Sequence, residues 1–233
     1  MDFGKAFGYV FEDERWISKI LIGGLVMCVP IVNFAGVGYA LKVAQNVAQG
    51  NPRPLPEWNE FGGHFMRGLY DTVIRLVYAL PVIIPIALVY CVAIGLAISS
   101  GSSRTDEGAA AAFGGVILCI LPLAFILGLA LSVLTFAALA RYATTNSLSE
   151  AFRFRDVVAT VRRNPGPWVV LLLVNIVTGI VGSLGFIALG IGVIFTSFYG
   201  MCVFGHAFGQ TIAQQGGVQI QSPSPATYTP PTF

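Results

Sequence analysis

Three long stretches without a charged side chain constrain the fold of this chain more than any other feature. They are residues 76–100, 109–140 and 168–215. Crossing the hydrocarbon core of a bilayer takes about 20 apolar residues, so each stretch can cross once and the last can cross twice. The chain is 55% hydrophobic and 10% charged, which leaves more apolar surface than 233 residues could bury in water. The sequence therefore predicts an all-α integral membrane protein.

A fourth apolar region, residues 17–48, contains Pro30 and Gly36 and is predicted to form a hairpin of two helices. The last stretch is predicted to break near VGSLG, residues 181–185. Counted together, these regions predict about six membrane segments in three hairpins. The predicted polytopic domain covers residues 1–215, with hairpin units near 1–50, 59–146 and 147–215. Residues 216–233 are rich in Pro, Ser and Thr and predict a tail that does not pack.

The positions of Lys and Arg predict the orientation, because basic residues collect in cytoplasmic loops. Of the 13 Lys and Arg residues, all but Arg104 fall on one predicted side of the membrane. Arg104 lies on the other side, close to Asp106 and Glu107. An even number of crossings, with both termini cytoplasmic, explains this division. The net charge of +2 is too small to indicate nucleic acid as a partner.

An amphipathic stretch precedes each apolar block and is predicted to lie as a helix along the cytoplasmic surface of the bilayer. The three stretches are MDFGKAFGYVFED, NEFGGHFMRGLYDTVIRL and SLSEAFRFRDVVATVRR. The polar face of the second is expected to be solvated and paired within its own helix; it consists of Glu60, His64, Arg67, Asp71 and Arg75. An interfacial helix followed by a hairpin thus occurs three times, which predicts an internal repeat.

Aromatic and basic residues are predicted to mark the membrane interface. Trp16, Trp58 and Trp168 each stand at an expected cytoplasmic boundary, where an amphipathic indole is favoured. Four arginines are expected to meet anionic lipid head groups: Arg153, Arg155, Arg162 and Arg163. The peptide NPRPLPEW, residues 51–58, cannot continue a helix and predicts an extended connector along the membrane surface.

Motifs in the first quarter of the chain carry a resemblance. FEDERWISKILIGGL (residues 11–25) contains a D/E-x-x-W start and a Gly-Gly segment. PIVNFAGVGYALKVAQNVAQGNPRPLPEW (residues 30–58) contains a P-I-V-N turn, a Y-x-x-x-V-A-x-N-V-A-x-G helix and an L-P-x-W ending. The chain resembles an uncharacterised prokaryotic membrane family, domain of unknown function 4013, and agrees with it in hydropathy through about Gln214. The resemblance implies a multi-pass protein of the prokaryotic cell (inner) membrane and no particular activity.

No set of residues in the sequence specifies a reaction, so we expect that the protein is not an enzyme and has no catalytic residue, metal or cofactor. The four cysteines stand singly, without CxxC spacing. His64 is expected to lie on a solvated helix face. The one candidate cofactor ligand is His206, whose neighbours Gly205 and Gly209 would admit a flat pigment or haem, although a plain position near a helix end is the simpler interpretation.

Three polar residues are predicted within the hydrocarbon: Asn33, Asn175 and Thr178. Asn175 and Thr178 lie one turn apart and are expected to bond a neighbouring helix. The lack of charges in the apolar runs disfavours an ion-coupled carrier. Small residues four apart permit close helix approach, either inside the bundle or to another subunit; the pairs are Gly128 and Ser132, Gly179 and Ser183, and Gly205 and Gly209.

Two classes of function are compatible with these features. The first is a non-enzymatic structural or accessory subunit of a larger membrane complex, such as an energy-transducing one. Charge-free spans, small-residue faces and the unusual tail favour it. The alternative is a small permease or lipid-handling membrane protein, which repeated hairpins and broken helices favour. The expected partners are the lipid bilayer and other membrane protein subunits.

Overall fold

A computed structural model describes residues 2–99, 107–185 and 192–215. Within these ranges the chain is helical and contains no strand. The α-helices are α1 (Phe3–Gly8), α2 (Trp16–Cys28), α3 (Phe34–Ala48), α4 (Phe61–Ser99), α5 (Glu107–Thr145), α6 (Leu148–Ala151), α7 (Phe154–Arg163), α8 (Gly166–Leu184) and α9 (Gly192–Gln214). Two 3-10 turns, Tyr9–Glu12 and Trp58–Glu60, follow α1 and precede α4. The predicted tail and Arg104, which entered the topology prediction, lie outside the described residues.

Four helical segments among the described residues are long enough and apolar enough to cross a membrane, judged by length and composition. They are Trp58–Val92, Ile120–Thr145, Gly166–Leu184 and Gly192–Gln214. The region predicted as the first hairpin forms α2 and α3, which have 13 and 15 residues and are shorter than a typical span. The all-helical fold is therefore confirmed, whereas the arrangement of six segments in three hairpins is not. The internal repeat stays a prediction.

The predicted interfacial helix before the second apolar block is the first part of α4, which continues unbroken for 39 residues. Two residues of its polar face point into the protein, His64 at 1% and Asp71 at 2% exposure, whereas Glu60 and Arg75 are exposed. Its apolar face points outward, with Leu76 54% exposed. The expectation of a solvated face was wrong for His64 and Asp71, because an apolar surrounding favours paired polar groups inside. The expected pairing within the helix is confirmed by the ion pair of Asp71 and Arg75.

Helix α3 is the structural centre and contacts α2, α4, α5 and α9. Its Tyr39, Val43 and Ala44 are fully buried. One buried apolar cluster lies between α3, α4, α5, α8 and α9. A second lies between α2, α3, α9, the turn Tyr9–Glu12 and the loop before α4. Because α3 and α9 contribute to both clusters, they fix the other helices relative to one another.

Glycines let α3 approach two neighbours at backbone distance. A Cβ placed on Gly38 would overlap the carbonyl oxygen of His64 and stand 2.6 Å from the nitrogen of Gly68 in α4. On α9, a Cβ on Gly205 or Gly209 would stand 2.5 Å from a backbone oxygen of α3. Side chains larger than hydrogen therefore do not fit at these crossings unless the helices move apart.

The proline-rich loop, residues 51–57, is fastened to the helices through its own carbonyl groups. Four consecutive carbonyls accept hydrogen bonds: Pro54 from Asn46 Nδ2 (2.9 Å), Leu55 from Lys19 Nζ (3.3 Å), Pro56 from the Tyr39 hydroxyl (2.8 Å) and Glu57 from His64 Nε2 (3.0 Å). A loop rich in proline has few backbone N–H groups that could pair with its own carbonyls. Side-chain donors from the helices satisfy these carbonyls instead. The loop is not helical, as predicted, and Pro54 and Leu55 are buried in the folded body. Its position along the membrane surface stays a prediction.

Buried Lys19 joins this loop to the N-terminal turn. It is 4% exposed, and its Nζ lies 2.7 Å from Asp13 Oδ2 and 3.0 Å from Glu57 Oε1. Burial raises the pKa of Asp13, but hydrogen bonds from Lys19 and from the backbone N–H of Arg15 outweigh that effect and hold the pKa below its usual value. Asp13 is therefore ionised at neutral pH and compensates the charge of Lys19.

Candidate functional site

A cavity of about 580 Å³ lies between α3, α4, α8 and α9. We call it the α4–α8 cavity. Most of its lining is apolar or small, and its polar residues are Asp71, Arg75, Asn175, Thr178, Ser183 and Ser197. Small-molecule sites typically have volumes of about 300–1,000 Å³ and a mainly apolar wall with a few polar groups. The α4–α8 cavity has the size and the lining of such a site.

An ion pair on α4 provides the charge in the described lining of this cavity. Arg75 donates from Nε to Asp71 Oδ2 and from Nη2 to Asp71 Oδ1, the latter over 3.3 Å. The carboxylate of Asp71 is buried, whereas the Arg75 side chain is 43% exposed. The helical spacing of four residues brings the two side chains onto one face. The arginine is thus held in a fixed orientation and is still accessible.

Helix α8 supplies polar groups across the cavity. The amide of Asn175 is exposed, and Thr178 is buried with its hydroxyl donating to the carbonyl oxygen of Asn175 over 3.1 Å. The expectation that this threonine bonds a neighbouring helix was wrong, because a carbonyl of its own helix lies within reach. Asn33 lies elsewhere, before α3, and its Oδ1 is buried without a partner among the described residues. Asn175 and Thr178 therefore belong to the cavity, and Asn33 does not.

The cavity lies where α5 no longer fills the space between α3, α4, α8 and α9. Phe136, Leu139 and neighbouring residues of α5 occupy the core between α4 and α8. Further along, the described residues lining the cavity come from α3, α4, α8 and α9, with none from α5. Helices α4 and α8 make no extensive contact with each other in the described part of the chain. Among the described residues, the cavity therefore separates α4 from α8 beyond the part of the core that α5 fills.

The predicted small-residue pairs occupy different places. Gly205 and Gly209 pack against α3, as described above. Gly179 and Ser183 line the cavity, and a Cβ on Gly179 would meet no described atom within 4 Å. A Cβ on Gly128 would likewise meet no described atom; Ser132 donates to its carbonyl within α5 over 2.7 Å. Only the pair on α9 therefore shows close helix approach among the described residues.

His206 is buried and enclosed. Its ring stacks on Tyr9 with centroids 4.4 Å apart, and its Nδ1 lies 3.2 Å from Gln210 Nε2. Since α3 occupies the space beside Gly205 and Gly209, the room expected for a flat macrocycle is filled by protein. No group of three His, Cys, Asp or Glu side chains lies close enough to hold a metal ion within the described part of the chain.

The predicted interface residues divide between the interior and the surface. Trp168 is fully buried in the first turn of α8, so its indole does not face lipid head groups as predicted. Trp58 donates from Nε1 to the carbonyl of Lys19 over 3.0 Å, and Trp16 is half-buried. The four predicted arginines are at the surface: Arg153 pairs with Glu150, while Arg155, Arg162 and Arg163 are exposed on α7.

Sequence reasoning missed Asp71 and Arg75 as site residues. It placed them on a solvated interfacial helix and counted no charge at membrane depth. The available signal was the lack of glycine and proline between Leu69 and the apolar run that starts at residue 76, which indicates one continuous helix. A continuous helix carries the ion pair into a segment of spanning length.

The fold and the cavity define an all-helical protein with four helices of membrane-spanning length and composition around a partly polar cavity. The model of a family described as protein of unknown function (DUF4013) matches residues 21–196. The chain belongs to this family, which confirms the resemblance found in its N-terminal motifs. No curated protein and no solved structure matches the chain.

Proposed function

We propose that this protein is a small permease or lipid-handling protein of the prokaryotic cell (inner) membrane that binds an amphipathic molecule in the α4–α8 cavity. The observation that carries the proposal is the Asp71–Arg75 pair, which faces the cavity from a helix of spanning length. Asp71 and Arg75 stand within the segment Trp58–Val92, directly before the charge-free run that begins at residue 76. Charged side chains within a segment of spanning length are rare, pair with one another or face a cavity, and typically mark a path for a substrate or an ion.

The proposed orientation gives the cavity an entrance from the bilayer. With both termini cytoplasmic, α8 leads away from the cytoplasm and α9 returns to it. The cavity follows α9 from Val193 to Phe208, about 22 Å at 1.5 Å per residue. It would thus extend from the outer end of α9 toward the ion pair. Entry between α4 and α8, which make no extensive contact in the described part of the chain, would keep the apolar part of the molecule in lipid.

A role as a subunit of a larger membrane complex stays a prediction. Native-gel migration from gently solubilised membranes, with mass spectrometry of co-migrating proteins, tests it directly. A defined set of partners would favour the subunit role. Migration as a single species would favour the permease or lipid-handling function.

Two glycines offer a matched test of the cavity. Gly179 lines it and has open space where a Cβ would stand, so we expect Gly179→Leu to take up cavity volume without a clash at its Cβ. Gly128 has the same open space but does not line the cavity, so Gly128→Leu is the control. Both variants are reconstituted into liposomes with a photoactivatable phospholipid, and the labelled peptides are quantified.

We expect Gly179→Leu to lose labelling of α8 and α9 peptides about tenfold, while Gly128→Leu labels like the unaltered protein. Labelling of α4 and α5 faces that contact bulk lipid should not change in either variant, which makes it an internal standard. If Gly179→Leu labels α8 and α9 as strongly as Gly128→Leu does, the cavity does not hold the lipid and the proposal fails.

A further inference from the structure

We infer that the α4–α8 cavity selects amphiphiles with an acidic head group, a carboxylate or a phosphate, and that Arg75 binds this head group. The inference rests on the proposed function and adds the chemical class of the ligand. Its basis is the asymmetry of the ion pair: the carboxylate is buried and the guanidinium is accessible. A ligand entering the cavity therefore meets the positive partner first.

The hydrogen-bonding capacity of Arg75 supports this assignment. A guanidinium has five N–H donors in a planar fork, and Asp71 accepts from Nε and Nη2. Donors on the accessible side of the fork are therefore left for a second oxyanion. Carboxylates and phosphates are the groups that match this fork with two parallel hydrogen bonds.

Asp71 acts as a positioning residue. Its two oxygens hold the fork from one side, so the remaining donors keep a fixed direction and little side-chain entropy is lost when an anion binds. The buried carboxylate is shielded from a ligand by Arg75 itself, which argues against a cationic head group. Asn175, whose exposed amide also faces the cavity, can add a hydrogen bond to either a neutral or an acidic head group.

The remaining lining indicates that the ligand also has an apolar part. Val37, Leu41, Met201, Phe204 and Phe208 form much of the wall. Apolar side chains stabilise a hydrocarbon chain by about 25 cal/mol for each Å² removed from water and offer nothing to a small hydrophilic solute. An acid with a hydrocarbon chain matches both parts of the cavity, with its head group at Arg75.

The experiment uses three photoactivatable probes with the same hydrocarbon chain: a fatty acid, a lysophosphatidate and an uncharged monoacylglycerol. The full-length protein in liposomes is titrated with each probe, and the half-saturating concentration for labelling of α8 and α9 is measured. The variants are Arg75→Gln, which removes the charge, and Arg75→Lys, which keeps the charge but loses the fork. Arg53→Gln, at an arginine that is 74% exposed and does not line the cavity, is the control.

We expect Arg75→Gln to weaken the binding of at least one acidic probe about tenfold to a hundredfold, the range expected for a hydrogen-bonded charge, and to leave the monoacylglycerol unchanged. Arg75→Lys should weaken the same probe less than Arg75→Gln does, and Arg53→Gln should leave the binding of all three probes unchanged. If Arg75→Gln weakens the binding of the fatty acid alone, the ligand is a carboxylate. If it weakens the binding of the lysophosphatidate alone, the ligand is a phosphate.

Two outcomes separate failure of the inference from failure of the proposed function. In the first outcome, all three probes bind equally, and neither Arg75→Gln nor Arg75→Lys changes the binding of any probe, but Gly179→Leu still abolishes binding. The cavity is then a binding site that does not select acids. If Gly179→Leu changes no probe, the cavity is not a site and both statements fail. Should Arg75→Gln not fold, unchanged acid binding by Arg75→Lys would still refute a role of the fork.

Discussion

Gly38→Ala tests the close crossing of α3 and α4 that supports the cavity. The added methyl group would overlap the carbonyl oxygen of His64 and lie 2.6 Å from the nitrogen of Gly68, where ordinary contact begins at 3.4 Å. These two atoms are four residues apart and are the ends of one helical hydrogen bond, so neither can move alone. Overpacking of this kind costs about 1–3 kcal/mol, and a rigid backbone neighbour favours the upper half of that range.

The helix propensity of alanine opposes this cost by at most about 1 kcal/mol. The expected net change is therefore a loss of about 1–2 kcal/mol in the free energy of unfolding. Gly128→Ala has the same propensity gain and no clash, so its stability should stay the same or rise. Both are measured by denaturant titration in mild detergent, followed by tryptophan fluorescence. Equal stability of the two variants would show that the backbones do not touch at this crossing.

Three further predictions concern the N-terminal body and the orientation. Tyr39→Phe leaves a loop carbonyl without its donor and should lower the free energy of unfolding by about 1 kcal/mol, as measured in the same titration. Because the pKa of Asp13 is depressed, its stabilising contribution is present above about pH 4 and is lost as pH falls further; the unfolding midpoint should decline there, and Asp13→Asn should remove this part of the decline. A cysteine introduced by Ser102→Cys should be labelled from outside and one by Ser149→Cys from the cytoplasm; labelling of both from one side would contradict the topology.

Hydropathy predicts the helices of this protein well, because a backbone in an apolar surrounding must satisfy its own hydrogen bonds. The break in the last apolar stretch was expected near residues 181–185, and α8 ends at Leu184. Pro30 was expected to turn the chain, and it lies between α2 and α3. Hydropathy did not predict the number of spans. Helices α2 and α3, of 13 and 15 residues, are apolar enough to look like a membrane-spanning hairpin in a hydropathy profile.

The orientation of α4 shows why the site itself was missed. A period of 3.6 residues correctly placed His64, Asp71 and Arg75 together on one face. The pattern alone does not say whether water or protein covers that face. In the structure α3 covers the part of the face around His64, through the crossing at Gly38 and Gly68, whereas Arg75 is still accessible. A contact between residues so far apart leaves no periodic signal in the sequence.

The hydrogen bonds of the proline-rich loop were beyond sequence reasoning for a related reason. Its carbonyls accept from Lys19, Tyr39, Asn46 and His64, which come from three different helices. Every backbone carbonyl needs a partner when buried, but which donor serves it depends on how the helices pack. His64 illustrates the point. The sequence pattern placed it in solvent, but in the structure it is buried and its Nε2 donates to the carbonyl oxygen of Glu57.

The polar side chains of the interior therefore fall into two groups with different uses. The donors that hold the loop are committed to backbone carbonyls, and Lys19 is further compensated by Asp13 and Glu57. Arg75 differs from them, because its internal partner engages one edge of the fork and the side chain is still accessible. The donors of Arg75 that Asp71 does not engage can be satisfied by water or by an acceptor from outside the chain. A carboxylate or phosphate can accept two parallel hydrogen bonds from the guanidinium fork, and this is the physical reason to look for an acidic ligand at Arg75.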